Sequence, residues 1–288
     1  MLIRHSFHDD LPWLRGNLHT HTTNSDGWRA PQEVVDEYAA RGYDFLMISD
    51  HDFLTEPGSI DARGMTLIRG NEVTANGPHV LHVDAPSAVA PDADRQKVIA
   101  AINAAGGFAI VAHPNWEKSF AHCPRKDLET WTGYAGIEVY NGVIRRLEGS
   151  PLATDRWDRL LGLGRRVWGF AHDDSHRPGD DGIGWNMVQT ADRSAAAIVS
   201  ALRQGHFYAS TGVAIERIRV CGRCISVETR DAERIVAHSD YGHREAVVDG
   251  PCMALTVPED ATYTYVRFEC WGRGERMAWT QPFFVEQG

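Results

Sequence analysis

Histidines and carboxylates recur in short clusters along the first two-thirds of the chain, and their types suit a divalent cation. In His19-Thr20-His21 two imidazoles stand at positions i and i+2. On an extended strand these share a face and can address one ion. Asp26, on the loop that follows, can add a carboxylate to a neighbouring ion. Asp50-His51-Asp52 closes a hydrophobic run, where charge is costly to bury unless it is paired or coordinated. Asn71-Glu72, His79-Val80-Leu81-His82, His113-Pro114-Asn115, Glu138 with Asn141, and His172-Asp173-Asp174-Ser175-His176 follow in order. A single pair of this kind reads as well as ordinary strand histidines. The whole series reads as a metal centre.

What joins the clusters is their place in the expected elements. Apolar runs at 43–49, 66–70, 79–83, 108–112, 136–140, 167–171 and 207–210 read as strands, and helical periods fall at 31–41, 94–105, 152–161 and 194–204. Pro31 suits a first helical turn and Gly42 a stop, with Val34, Val35, Tyr38 and Ala39 as the apolar face. Alternation at this spacing predicts parallel βαβ units in an α/β layer or barrel. The clusters then sit where strands end, the edge at which α/β folds gather catalytic groups. After Gly212 the texture changes to short β-rich runs at 218–220, 224–228, 235–237, 254–257, 265–270 and 283–285. Residues 213–288 are therefore expected to form a small antiparallel β-sandwich appended to a 1–212 unit.

Composition narrows the function. The chain has 288 residues, 43% hydrophobic and 24% charged, enough for a full core without staples. A net charge of -10 disfavours a broad surface for long nucleic acid, whereas a small anion fits if metal ions supply local positive charge. No run approaches the roughly 18 apolar residues of a membrane span, and the opening residues offer no signal-peptide core. A cytoplasmic protein is expected. Five cysteines among 288 residues suggest no disulfide framework. Cys221-Gly222-Arg223-Cys224 lacks the partner pair of a zinc knuckle and reads as a turn between strands. Nothing in the sequence sets an oligomeric state.

The ordered set HTHTTNSDG, ISDHD, GNE, AHPN and HDDSH, across residues 16–212, closely resembles the PHP (polymerase and histidinol phosphatase) superfamily. The resemblance implies a distorted barrel of about seven βα units with two or three divalent ions (zinc, manganese or iron) at its mouth. It places His19, His21, Glu72 and Asp174 on one ion, and Asp26, His51 and His176 on a second. A third ion would share Glu72 and add His79 and His113. The family's Asp-x-His pattern favours Asp174 over Asp173, and family spacing favours His79 over His82. A softer likeness, in the stretches from Gly205 to Gly212 and from Ala278 to Val285, points to the subgroup that includes carbaryl-type carbamate hydrolases.

The expected chemistry is hydrolysis of a small phosphorylated metabolite or short nucleotide by a hydroxide bridging two ions, with Glu72, Asp174 and His176 acting through it. Asp50 and Asp52 are candidates to orient His51, and Glu138 and Asn141 to orient ligands or substrate. His172, Asp173 and His206 are candidate proton carriers; Lys118, Arg145, Arg146 and Arg177 are candidate substrate cations. A carbamate, ester or amide hydrolase is the alternative within enzymes, and a non-catalytic metal-binding regulatory module the alternative outside them.

Overall fold

The computed structural model describes residues 2–5, 7–8 and 11–286. Among them the strands form three sheets. One has five strands in the order Gly70–Val73, Val80–Val83, Phe108–Val111, Gly136–Asn141 and Trp168–His172. A second, of eleven strands, runs from Thr66–Ile68 through Phe45–Met47, Trp13–Asn17, Trp185–Gln189, Phe207–Ser210, Met277–Thr280 and Tyr265–Gly272 to Phe283–Glu286 and Leu2–Arg4. Ala232–Ser239 and His243–Asp249 branch from it at Tyr265–Gly272. The third sheet is Ile215–Cys221, Cys224–Thr229 and Cys252–Thr256.

The helices end where local chemistry says they should. Pro31–Ala40 opens with proline, and the Glu33 carboxylate accepts the Ala30 N–H at 2.8 Å. Gly42 follows in the left-handed region at φ 74°. The helix buries Val34, Val35 and Tyr38, three of the four positions the spacing predicts, and Ala39 is half-buried. Asp94 caps Arg95–Ala104, and Ser194 caps Ala195–Gln204.

Pairing departs from the expected all-parallel plan. Parallel ladders join Trp13–Asn17, Phe45–Met47 and Thr66–Ile68, and again Phe108–Val111, Gly136–Asn141 and Trp168–His172. Gly70–Val73 and Val80–Val83 are antiparallel, because the short link between them is a hairpin and a parallel crossover needs about a dozen residues or more. The single strand expected at 66–70 is two, Thr66–Ile68 and Gly70–Val73, in different sheets. At the crossing a Cβ on Gly70 would lie 2.1 Å from Met47 Sδ and 2.7 Å from the His82 carbonyl, so only glycine fits.

No sheet closes on itself among the described residues, so they do not form the full distorted barrel of about seven βα units that was expected. The two larger sheets instead meet at the ends of their strands through isolated parallel bridges, Thr20 with Ser175 and His51 with Glu72. Backbone hydrogen bonds stitch that rim: His21 N–H to Ser175 at 2.8 Å, Ser49 to Thr20 at 2.8 Å and Asp174 to His19 at 3.0 Å. No α-helix follows Gln204 among the described residues. The three-stranded sheet buries Ile218, Ile225, Val227 and Met253 against Ile235, Ala237, Phe268 and Phe283 of the eleven-stranded one. That sheet passes without a break from Phe207–Ser210 to Met277–Thr280.

Candidate metal centre

The stitched rim brings the distant clusters together. His19 and His21 flank Thr20, so the bridge to Ser175 sends both imidazoles to the same side. Glu72, fully buried on its strand, lies at the middle. Its Oε1 is 3.3 Å from His19 Nε2, 3.3 Å from His113 Nε2 and 3.1 Å from His79 Nδ1. Its Oε2 is 2.9 Å from His51 Nδ1 and 3.7 Å from His21 Nε2. Asp174 Oδ1 lies 3.1 Å from both His19 Nε2 and His21 Nε2, and 3.5 Å from His176 Nδ1. Asp26 Oδ1 is 3.4 Å from the Nε2 of both His51 and His176.

Apart from the His79 Nδ1 contact with Glu72 Oε1, most of these atoms crowd without bonding. His19 Nε2, both ring nitrogens of His21, His51 Nδ1, Glu72 Oε2 and Asp174 Oδ1 are buried with no hydrogen-bond partner. Buried polar groups are normally satisfied, and lone pairs that converge on shared points instead of on donors are the arrangement of metal ligands. The donor set is imidazole and carboxylate with no thiolate, which suits zinc, manganese or iron. The residues fit divalent ions.

A layer of hydrogen bonds behind the ligands holds their orientation. Glu138 Oε1 takes His19 Nδ1 at 2.6 Å and His172 Nδ1 at 2.7 Å, which leaves His19 Nε2 facing the cluster. Glu138 Oε2 accepts the His113 N–H and the Asn141 amide, both at 2.7 Å, and Asn141 also reaches Asp174 Oδ2 at 3.2 Å. Asp50 accepts from the Thr22 N–H and from the Thr22, Ser25 and Thr55 hydroxyls, folding the loop that carries Asp26. Asp52 accepts from the Thr74 and Ala75 N–H groups. Both carboxylates brace loops; their hydrogen bonds do not go to the His51 ring. Asp173 accepts from Asn17, Tyr38 and the N–H groups of Gly182, Ile183 and Gly184, so its hydrogen bonds point away from the cluster that Asp174 joins.

Charge in the cluster is mutually dependent. Burial opposes ionising Glu72 and Asp174, but the surrounding imidazoles outweigh it and hold both well below the usual carboxylate range. Burial likewise opposes charging His51, yet Asp26 and Glu72 push it up to about 10. His21 goes the other way, to about 4, because burial dominates. Carboxylates that would hold an ion also raise the proton affinity of the imidazoles, so protons and metal compete for one set of lone pairs.

The cluster floors a cavity of about 340 Å³ lined also by Trp28, Trp116, Val143, Ile144, Leu147, Arg146 and Arg177. Of the sequence-read cations, Arg146 and Arg177 reach it; Arg145 pairs with Glu275 at 3.0 Å, and Lys118 stands on an outer turn. His172 is enclosed behind Glu138, and His206 packs edge-on to His8 away from the cluster. His82 is buried on its strand, lowered to about 4 by burial. The sequence reading missed His122 and the aromatic wall. His122 Nε2 accepts the His79 N–H at 3.0 Å, and its ring packs on Trp116, His79 and His113. Its only signal was a histidine in a loop just past the His113 cluster.

No family model matches the chain. A 3',5'-nucleoside bisphosphate phosphatase of Chromobacterium violaceum is 39% identical over 72 residues, covering 23% of this chain and 25% of that protein. The chain thus matches about a quarter of that curated relative's length. Over 97% of its own length the chain superimposes on 90% of a Bacteroides vulgatus two-domain protein containing a predicted PHP-like metal-dependent phosphoesterase, with TM-score 0.57 and 17% identity. PsfC from Pseudomonas syringae matches 66% of the chain and 89% of its own, with TM-score 0.49 and 15% identity. The chain shares the fold of the Bacteroides vulgatus structure.

Proposed function

We propose that this chain, folded as PHP-like phosphoesterase structures are, is a metal-dependent hydrolase of phosphate esters carried by a small metabolite or short nucleotide. The observation that carries the reading is the convergence of partnerless buried nitrogen and oxygen atoms at the floor of an open cavity. The relative named as a nucleoside bisphosphate phosphatase favours phosphoryl over carbonyl chemistry. His19, His21, Glu72 and Asp174 would hold one ion, Asp26, His51 and His176 a second, and His79, His113 and Glu72 a third. Divalent ions in such a site supply Lewis acidity towards phosphoryl oxygens and make water nucleophilic near neutral pH.

The rest belongs to the chain. Glu138 fixes the tautomer and aim of His19. Arg146 and Arg177 offer guanidinium groups to the ester's outer oxygens. Trp116, packed against His79 and His113, keeps water from that side of the floor. Residues 1–212 would supply the chemistry, and 213–288 an appendage that extends the same sheet.

Purified protein supplied with manganese or zinc should turn over p-nitrophenyl phosphate, and a chelator should abolish that activity. Turnover of a naphthyl carbamate alone would replace this reading with the carbonyl-hydrolase one. A metal-free protein inert towards phosphate monoester, diester and carbamate would replace it with a binding module.

A further inference from the structure

The cavity has a feature that phosphoryl chemistry does not use. Trp28 lines it with 71% of its surface exposed. A lone exposed indole is ordinary on a protein surface, but this one stands on a loop locked at every step. Its backbone N–H donates to the His176 carbonyl at 2.7 Å, and the Thr23 N–H donates to Arg29 at 2.9 Å across the same turn. Gly27 lies so close to His21 that a Cβ there would sit 2.5 Å from the His21 carbonyl. Arg29, the next residue along, is tied to Ser175 and Asp181. The backbone that carries the indole is thus fixed two residues from Asp26 and hydrogen-bonded to His176, both on the cavity floor.

Its neighbours in the cavity fall into two kinds. Val143, Ile144 and Leu147 add apolar surface. Arg146 and Arg177 share one carboxylate: Asp180 takes Arg146 at 3.0 and 2.8 Å and lies 3.8 Å from Arg177. Arg146 and Arg177 thus bring two guanidinium groups to the cavity. An exposed π-face that shares the cavity with apolar side chains and two guanidinium groups, above the histidine and carboxylate floor, matches a ligand that carries a planar ring and an anion.

We infer that Trp28 is the specificity platform of this site, stacking the planar ring of a ring-bearing phosphate such as a mononucleotide. The inference takes from the proposed function only that the ligand's anionic end sits at the histidine and carboxylate floor. Stacking a base on an aromatic side chain is worth on the order of 1–3 kcal/mol, roughly a five- to 150-fold preference.

The test uses ligands that cannot be hydrolysed: the phosphonate analogues of adenosine 5'-phosphate and of ribose 5-phosphate, titrated calorimetrically into manganese-loaded protein. The adenosine analogue should bind about tenfold tighter than the ribose analogue. Trp28→Ala should remove most of that ratio and Trp28→Phe should keep part of it; at so exposed a position neither should shift the melting temperature. Equal binding of the two analogues, binding of neither, or a ratio unchanged in Trp28→Ala overturns the inference. Because binding is measured and not turnover, a protein that hydrolyses nothing yet keeps a Trp28-dependent ratio refutes the hydrolase reading and upholds this one.

Discussion

Two clusters of buried charge sit in this molecule, and they are finished to different degrees. On the Tyr265–Gly272 strand, Arg267 is 1% exposed and its guanidinium meets both oxygens of Asp158 and, at 2.9 Å, Glu269 Oε1. The Tyr265 hydroxyl donates to Asp158 at 2.9 Å, and the guanidinium lies 5.1 Å from the Trp157 ring. That cluster contains its own cation. At the cavity floor the ion pairs of Glu72 and Asp174 among the described residues are all with histidines, and several of their atoms bond to nothing. An arginine there would have satisfied the carboxylates and closed the site. Its absence from both carboxylates, beside a complete example elsewhere in the same fold, marks the floor as built to receive a cation.

The contrast predicts opposite consequences of removing one group from each. Glu72→Gln keeps the volume but removes a charge shared by two of the three expected ions, so hydrolysis should fall by more than about 10³-fold. Metal content by elemental analysis should fall with it, while the melting temperature should move little. Loss of activity with full metal content would break the assignment. Arg267→Met should do the reverse, because it strands two buried carboxylates: a loss of about 3–5 kcal/mol in urea unfolding, with metal content of the folded protein unchanged.

The same pair sets an acid limit. Burial opposes ionising Glu269, but Arg267 and His238 outweigh it and hold its carboxyl at about 2 against an ordinary 4.5. A folded value below the unfolded one means stability fully present above pH 4.5 and lost as pH falls towards 2. Glu269→Gln should flatten that part of the pH–stability curve.

Legibility followed the same division. His19, His21, His51, Glu72, His113, Asp174 and His176 could be read because imidazoles and carboxylates at the ends of apolar runs are costly unless used. Helix starts were legible through Pro31, Asp94 and Ser194, whose effect is local. The Asp158–Arg267 pair was not, since partners 109 residues apart have no local signature. Trp185–Gln189 was missed for a related reason: Asn186 breaks the apolar pattern because its side chain bonds the Ala171 backbone in place of a strand neighbour. The break at 68–70 depends on Met47 and His82 packing over Gly70, again a contact across the fold. Trp28 escaped because an exposed indole on a loop carries no period.

The smallest predicted effect separates two neighbours that the motif alone left ambiguous. Asp173 and Asp174 are both buried, at 0% and 3% exposure, but only Asp174 faces the imidazoles. Asp173 is an acceptor for five donors, three of them backbone N–H groups that hold residues 182–184 against the strand end. Asp173→Asn puts an NH₂ among those donors and leaves at least one unpaired, at about 1–3 kcal/mol. Urea unfolding should record that loss while bound metal stays at the wild-type level. Asp174→Asn should lower bound metal with a smaller change in stability, since Asp174 Oδ1 has no donor to lose. If Asp173→Asn strips the metal and Asp174→Asn does not, the two carboxylates have exchanged roles and the site must be rebuilt around Asp173.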